Sequence, residues 1–162
     1  MLAAMAIRYW LLKSEPESFS IDDLQRAPKQ TTFWNGVRNY QARNLLRDEI
    51  KVGDGVIFYH SNADPAAAVG LAEVVRAGYP DDTQFDPKSD YYDPDAKADD
   101  PRWFMVDIKF KEKFVRPLSL EVLRTIPALT DMVLLRRGSR LSVQPVTAAE
   151  WKAIVAQGRR AA

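Results

Sequence analysis

Residues 103–110 of the chain, Trp-Phe-Met-Val-Asp-Ile-Lys-Phe, end in a strict alternation of apolar and charged side chains from Val106 to Phe110. In an extended segment Phe104, Val106, Ile108 and Phe110 share one face, and Trp103, Met105, Asp107 and Lys109 share the other. A strand with one apolar face needs a sheet around it and a cover over that face. The spacing predicts further strands. Ile7–Lys13 is rich in aromatic and branched residues. Val56–Ser61 is launched by the turn Gly53-Asp54-Gly55, and 69–76 is its hairpin partner across the loop Asn62–Ala68. Residues 140–144 also read as extended. The helical windows between them are short. Ser20, with Asp23 three positions on, caps one helix, and Phe19 and Leu24 occupy the two positions of a hydrophobic staple. Ala42, Leu45, Leu46 and Ile50 recur at helical spacing and predict a helix over 40–50. Another helix starts near Ser119 and stops before Pro127. A last one, capped by Thr147 with Glu150, buries Trp151, Ile154 and Val155 and ends near Gly158. Strands with short helices at their connections indicate an α+β domain built on a small curled sheet or barrel. They do not alternate regularly enough for a doubly wound sheet, and no Gly-rich phosphate loop is present.

At 162 residues the chain has the length of one domain and buries close to ~70% of its unfolded surface without a metal or disulfide. It contains no cysteine, which excludes a disulfide scaffold, a zinc ribbon and a thiol nucleophile. Its single histidine, His60, leaves no His-rich metal cage or histidine relay. The net charge of +1 conceals a segregation. Residues 1–80 carry 9 basic and 9 acidic groups, 81–101 carry 2 and 8, and 102–162 carry 12 and 5. The acidic stretch, punctuated by Pro80, Pro87, Tyr91, Tyr92 and Pro94, is longer than most connections in compact domains. Its paired acids, Asp81-Asp82 and Asp99-Asp100, read as a solvated surface. The N-terminal run to Ile7 is apolar but too short to cross a bilayer, and it lacks the basic start of an export signal. The chain therefore reads as a cytoplasmic monomer with no membrane association and no cofactor.

Three segments combine aromatic rings with hydrogen-bonding side chains beyond what a core requires. In Trp10-Leu11-Leu12-Lys13-Ser14-Glu15-Pro16 an apolar strand runs into a polar end. Trp34–Asn44 packs Trp34, Tyr40, Arg38, Arg43 and three asparagines into the entry of a helix. Arginines suit phosphate there, and Asn39 and Asn44 carry both donors and acceptors, the equipment that reads a base edge. Phe58-Tyr59-His60-Ser61-Asn62 ends a strand, so His60 and Ser61 line the mouth of a sheet or barrel. Trp103 lies on the polar face of its strand, where a large ring needs a cover, either the acidic loop or a ligand. No nucleophile, base and orienting partner occur together. His60 and Ser61, as strand neighbours, point to opposite faces.

The runs Tyr9–Pro16, Trp34–Asn44 and Phe58–Ser61, with Tyr79-Pro80-Asp81, Tyr91-Tyr92-Asp93-Pro94, Pro101-Arg102-Trp103 and Arg140–Val146, resemble the EVE domain. The resemblance implies a PUA-like β-pseudobarrel with short helices packed at its ends, spanning residues 7–157 as a single domain. Residues 1–6 would then be a disordered extension and 158–162 a tail. It also implies a non-catalytic module that binds a modified base in nucleic acid, with modified cytosine in DNA ahead of modified RNA. On that reading the base leaves its stack and enters an aromatic slot at the barrel mouth, beside the leading end of the second helix. Trp34 and Trp103 would be the stacking walls, with Tyr40 in the same pocket. Ser14, Asn39 and Ser61 would read the base edge, and Lys13, Arg38 and Arg43 would hold phosphate. Glu15, Gly36, Val37, Asn44 and His60 would support the pocket. Two other readings stand beside it: an enzyme acting on a modified base with His60 or Glu15 as acid/base, and a small-molecule sensor or protein-interaction module using the same pocket.

Overall fold

The computed structural model describes residues 6–160. Six strands lie in it: β1 (Tyr9–Ser14), β2 (Thr31–Phe33), β3 (Gly55–His60), β4 (Ala67–Pro80), β5 (Phe104–Ser119) and β6 (Val143–Val146). They form one mixed sheet in the order β2-β5-β4-β3-β1-β6. β1 and β3 pair in parallel and every other pairing is antiparallel. The expected extension over 1–6 falls, apart from Ala6, outside the described residues.

β1 and β3 are buried on both sides, which is why their sequences are apolar at consecutive positions instead of alternating. Trp10, Leu12, Val56 and Phe58 face one core; Leu11, Ile57 and Tyr59 face the other. The first core lies under helices α1 (Ile21–Arg26) and α2 (Tyr40–Asn44), through Ile21, Leu24 and Ala42. The second lies under α3 (Leu120–Arg124) and α4 (Ala148–Gly158), through Leu123 and Ile154. Reciprocal capping boxes start α1 at Ser20/Asp23 and α4 at Thr147/Glu150, as the sequence spacing requires.

Three features depart from the sequence reading. The helix expected over 40–50 changes pitch half-way: after α2 it continues as a π turn, Leu45–Glu49, in which the Ile50 N–H donates to the Leu45 carbonyl at 3.0 Å. β4 and β5 run to 14 and 16 residues, well beyond 69–76 and 103–110. Past Phe110 the strand carries Lys111, Glu112 and Lys113, yet Glu112 and Lys113 still pair with Leu71 and Gly70. Backbone pairing extends the strand where side-chain burial no longer marks it. β2 is a three-residue edge strand on β5, too short to show any period.

The register of β4 against β5 slips at four places, and β3 carries an irregularity between Phe58 and Tyr59. Such bulges bend strands and increase their twist. β2 and β6 remain the two unjoined edges, so the sheet is a pseudobarrel that does not close.

Candidate functional site

Residues from both edges of the sheet line one cleft of about 440 Å³. Thr32 and Phe33 come from β2, and Ser142 immediately precedes β6. The cleft is therefore the open seam of the pseudobarrel. Lys13, Ser14 and Glu15, at the end of β1, contribute a polar wall, with Ser18 and Phe19 beside them. The segment Trp34–Arg38 and the ring of Tyr91 complete the lining.

Each wall is held by specific bonds. The Lys13 N–H donates to the Ser142 carbonyl at 2.9 Å, fixing β1 against the start of β6. The Ser14 hydroxyl donates to the Phe19 carbonyl at 2.7 Å and closes the turn into α1. Its lone pairs stay available as acceptors. Burial pushes the Lys13 ammonium below the ordinary lysine pKa. Trp34 is 8% exposed, packs edge-on against Phe58 with centroids 5.4 Å apart, and forms an apolar part of the lining.

The opposite wall hangs on Asp81, whose side chain is fully buried. One carboxylate oxygen accepts from the Gly36 N–H (2.8 Å) and from Arg38 Nη1 (3.1 Å). The other accepts from both the backbone N–H and the hydroxyl of Thr83. Arg38 also donates to the Tyr91 carbonyl through Nη2 at 2.7 Å and to the Thr83 hydroxyl at 3.1 Å. Gly36 has φ +81°, and a Cβ there would come within 2.6 Å of the Tyr91 ring. The chain can thus lay an aromatic ring directly on its backbone only because that residue is glycine.

The acidic segment is ordered from within. Gln84 is buried and uses its whole amide: Nε2 donates to the carbonyls of Asp81 and Trp103, and Oε1 accepts from the N–H groups of Arg102 and Trp103. Trp103 Nε1 donates to Asp93 at 2.7 Å, a bond that lowers the Asp93 carboxyl pKa.

A profile of the EVE domain matches residues 8–157. This chain belongs to the EVE domain family. Mouse thymocyte nuclear protein 1 is 47% identical over 164 residues, which span 91% of this chain and 72% of the mouse protein. A hypothetical protein from Leishmania major superimposes with TM-score 0.88 at 47% identity, covering 94% of this chain and 95% of the other. The human THYN1 protein, crystallised in complex with 5-methylcytosine-containing DNA, superimposes with TM-score 0.88 at 42% identity, covering 96% and 99%.

Of the positions singled out from the sequence, this EVE domain gathers Lys13, Ser14, Glu15, Trp34, Gly36, Val37 and Arg38 around the cleft. The others lie elsewhere. Trp103 is not an open stacking wall: the residue is 6% exposed and its ring is stacked under Tyr40 at 5.0 Å, with Asp93 on its indole nitrogen. The cover its polar-face position demanded is the loop and Tyr40. Tyr40 itself is 53% exposed, outside the cleft lining. Asn39 caps α2, its Oδ1 accepting from the Ala42 N–H at 3.0 Å, and the Asn44 Oδ1 accepts from Arg43. Arg43 also donates to the Arg102 carbonyl at 2.8 Å. His60 Nε2 accepts the first N–H of α1, from Ile21, at 3.1 Å, and the Ser61 N–H donates to the Ser14 carbonyl. Neither of these two residues lines the cleft.

The sequence reading missed Phe33, Ser142 and above all Asp81, which it placed in solvent. A signal for Asp81 was present: Asp followed two residues later by Thr forms an Asx turn, in which the carboxylate is committed to local backbone. Among the described residues no helix is long and apolar enough to cross a membrane.

Proposed function

We propose that this chain is a non-catalytic reader of modified cytosine in DNA, and that the seam cleft receives the base. The carrying observation is that a cleft of about 440 Å³ opens where the EVE pseudobarrel fails to close, in a chain similar along 96% of its length to a protein crystallised with 5-methylcytosine-containing DNA. The lining suits a cytosine. Trp34 and Tyr91 offer ring surface, and Phe19, Phe33 and Val37 offer apolar contact for a methyl group. Cytosine presents an amino donor beside two acceptors; Glu15 and the Ser14 oxygen can accept, and Asn35 can donate. Extruding a base from a duplex costs a few kcal/mol, which stacking at ~1–3 kcal/mol plus edge hydrogen bonds offsets. His60, which an acid/base reading would employ, is committed to α1 and lies outside the cleft lining.

Burying one methyl group contributes ~0.8 kcal/mol, about fourfold in affinity. The test is a titration against two duplexes that differ only in one 5-methylcytosine, at one salt concentration. The chain should prefer the methylated duplex at least about fourfold, and Tyr91→Ala, which removes the exposed ring of the lining, should lose binding worth ~1–3 kcal/mol. Equal affinity of the wild-type chain for both duplexes would refute the proposal.

A further inference from the structure

The two arginines that the sequence nominates for phosphate are both committed to the protein. Arg38 is bonded to Asp81, Thr83 and the Tyr91 carbonyl, and Arg43 to Asn44 and the Arg102 carbonyl. The basic excess of residues 102–162 finds a different outlet. Arg136, Arg137 and Arg140 are exposed on a tight turn, closed by the Ser139 N–H donating to the Arg136 carbonyl at 3.2 Å. Buried Gln144 ties the turn down, its Nε2 donating to the Ser139 hydroxyl at 3.4 Å and to the Leu141 carbonyl just beyond it at 2.8 Å.

This turn abuts the cleft. Ser142, two residues beyond Arg140, lines it and accepts from the Lys13 N–H. On the other flank Arg124 donates to the Leu135 carbonyl at 3.2 Å, and the Lys13 ammonium lies 5.9 Å from the centre of the Tyr59 ring. Among the described residues no carboxylate lies within 4 Å of any of these five cations, whereas Arg8, Arg26, Arg47, Arg102 and Arg159 each have one. Arg137 and Arg140 donate no side-chain hydrogen bond to any described residue, and Arg136 bonds only the Asp131 carbonyl. Clustering unpaired cations costs self-repulsion, and a polyanion relieves it.

We infer that the Arg136–Arg140 turn, flanked by Arg124 and Lys13, holds the phosphate backbone of the DNA strand whose base enters the cleft. The assignment rests on the reading of the cleft proposed above. Contacts of this kind position the strand and carry no sequence information, so their removal weakens all DNA equally.

The experiment titrates wild type, Arg136→Gln/Arg137→Gln/Arg140→Gln and Arg159→Gln against the same two duplexes between 50 and 200 mM salt. The triple variant should bind both duplexes more weakly by one common factor, at least about tenfold at 100 mM, and the slope of log affinity on log salt should become shallower by about 2–3. Arg140→Glu alone, a single exposed change, should act in the same direction. Arg159→Gln, whose arginine is paired with Glu112, should keep the wild-type slope. A triple variant with the wild-type slope and affinity overturns the inference, whichever duplex the wild type prefers. A wild type without preference whose slope still depends on the turn overturns the cleft reading and retains the arginines.

Discussion

Asp81→Asn tests whether the cleft wall is built as described. Every group around that carboxylate is a donor: the N–H of Gly36, Nη1 of Arg38, and the N–H and hydroxyl of Thr83. An asparagine places an NH₂ against two of them whichever way its amide faces. On one side it meets Gly36 and Arg38, with no group that can reverse its role. On the other it meets Thr83, where only the hydroxyl can turn to accept. Arg38, with its side chain 23% exposed, also loses its only carboxylate partner among the described residues. Removing one member of a buried pair costs about 3–5 kcal/mol, a large share of the ~5–15 kcal/mol that stabilises a typical domain. Urea unfolding of wild type and Asp81→Asn, with Asp82→Asn as an exposed neighbour that should stay within about 0.5 kcal/mol, gives the answer directly. At urea concentrations well below the unfolding midpoint, Asp81→Asn should also lose affinity for the methylated duplex, because Gly36 and Arg38 no longer hold Tyr91. A stability loss under about 1 kcal/mol would refute the claim that this buried carboxylate anchors the wall.

Two further outcomes follow from the geometry. Gly36→Ala places a methyl group 2.6 Å from the Tyr91 ring at a φ of +81°; the left-handed backbone alone costs about 1–2 kcal/mol, and hydrogen exchange in residues 82–102 should accelerate, while unchanged exchange would contradict the contact. His60 has its pKa lowered from 6.5, chiefly by burial, and its Nε2 accepts a backbone N–H. The unfolded chain therefore takes up a proton that the native ring refuses: stability should be full above about pH 6.5 and fall as acidification carries the solution through the folded pKa. The ring resonances of this single histidine report the titration without assignment, a midpoint at or above 6.5 would contradict it, and His60→Gln should flatten the pH dependence.

Local chemistry was legible in the residue order. The capping boxes at Ser20/Asp23 and Thr147/Glu150, a turn ahead of β3 (it closes over Lys51–Asp54, two residues before the expected Gly53-Asp54-Gly55), the apolar runs of β1 and β3, and the alternation in 106–110 all depend on neighbours within a few positions. So did the motifs that mark the EVE family. Tertiary structure decided which of the polar and aromatic groups are free. Asp81 became a buried hub, and Trp103 vanished beneath Tyr40, because the acidic segment folds back on the sheet through Gln84 and Asp93. Arg38 and Arg43 were consumed by carbonyls more than 50 residues away, while the arginines of 136–140 were left with no carboxylate partner among the described residues. The cleft exists only because bulges curl the sheet until β2 and the approach to β6, its two far edges, line one gap. A periodic pattern reports which face of an element is buried; what that face meets, and which edge stays open, depends on contacts between residues far apart in the chain.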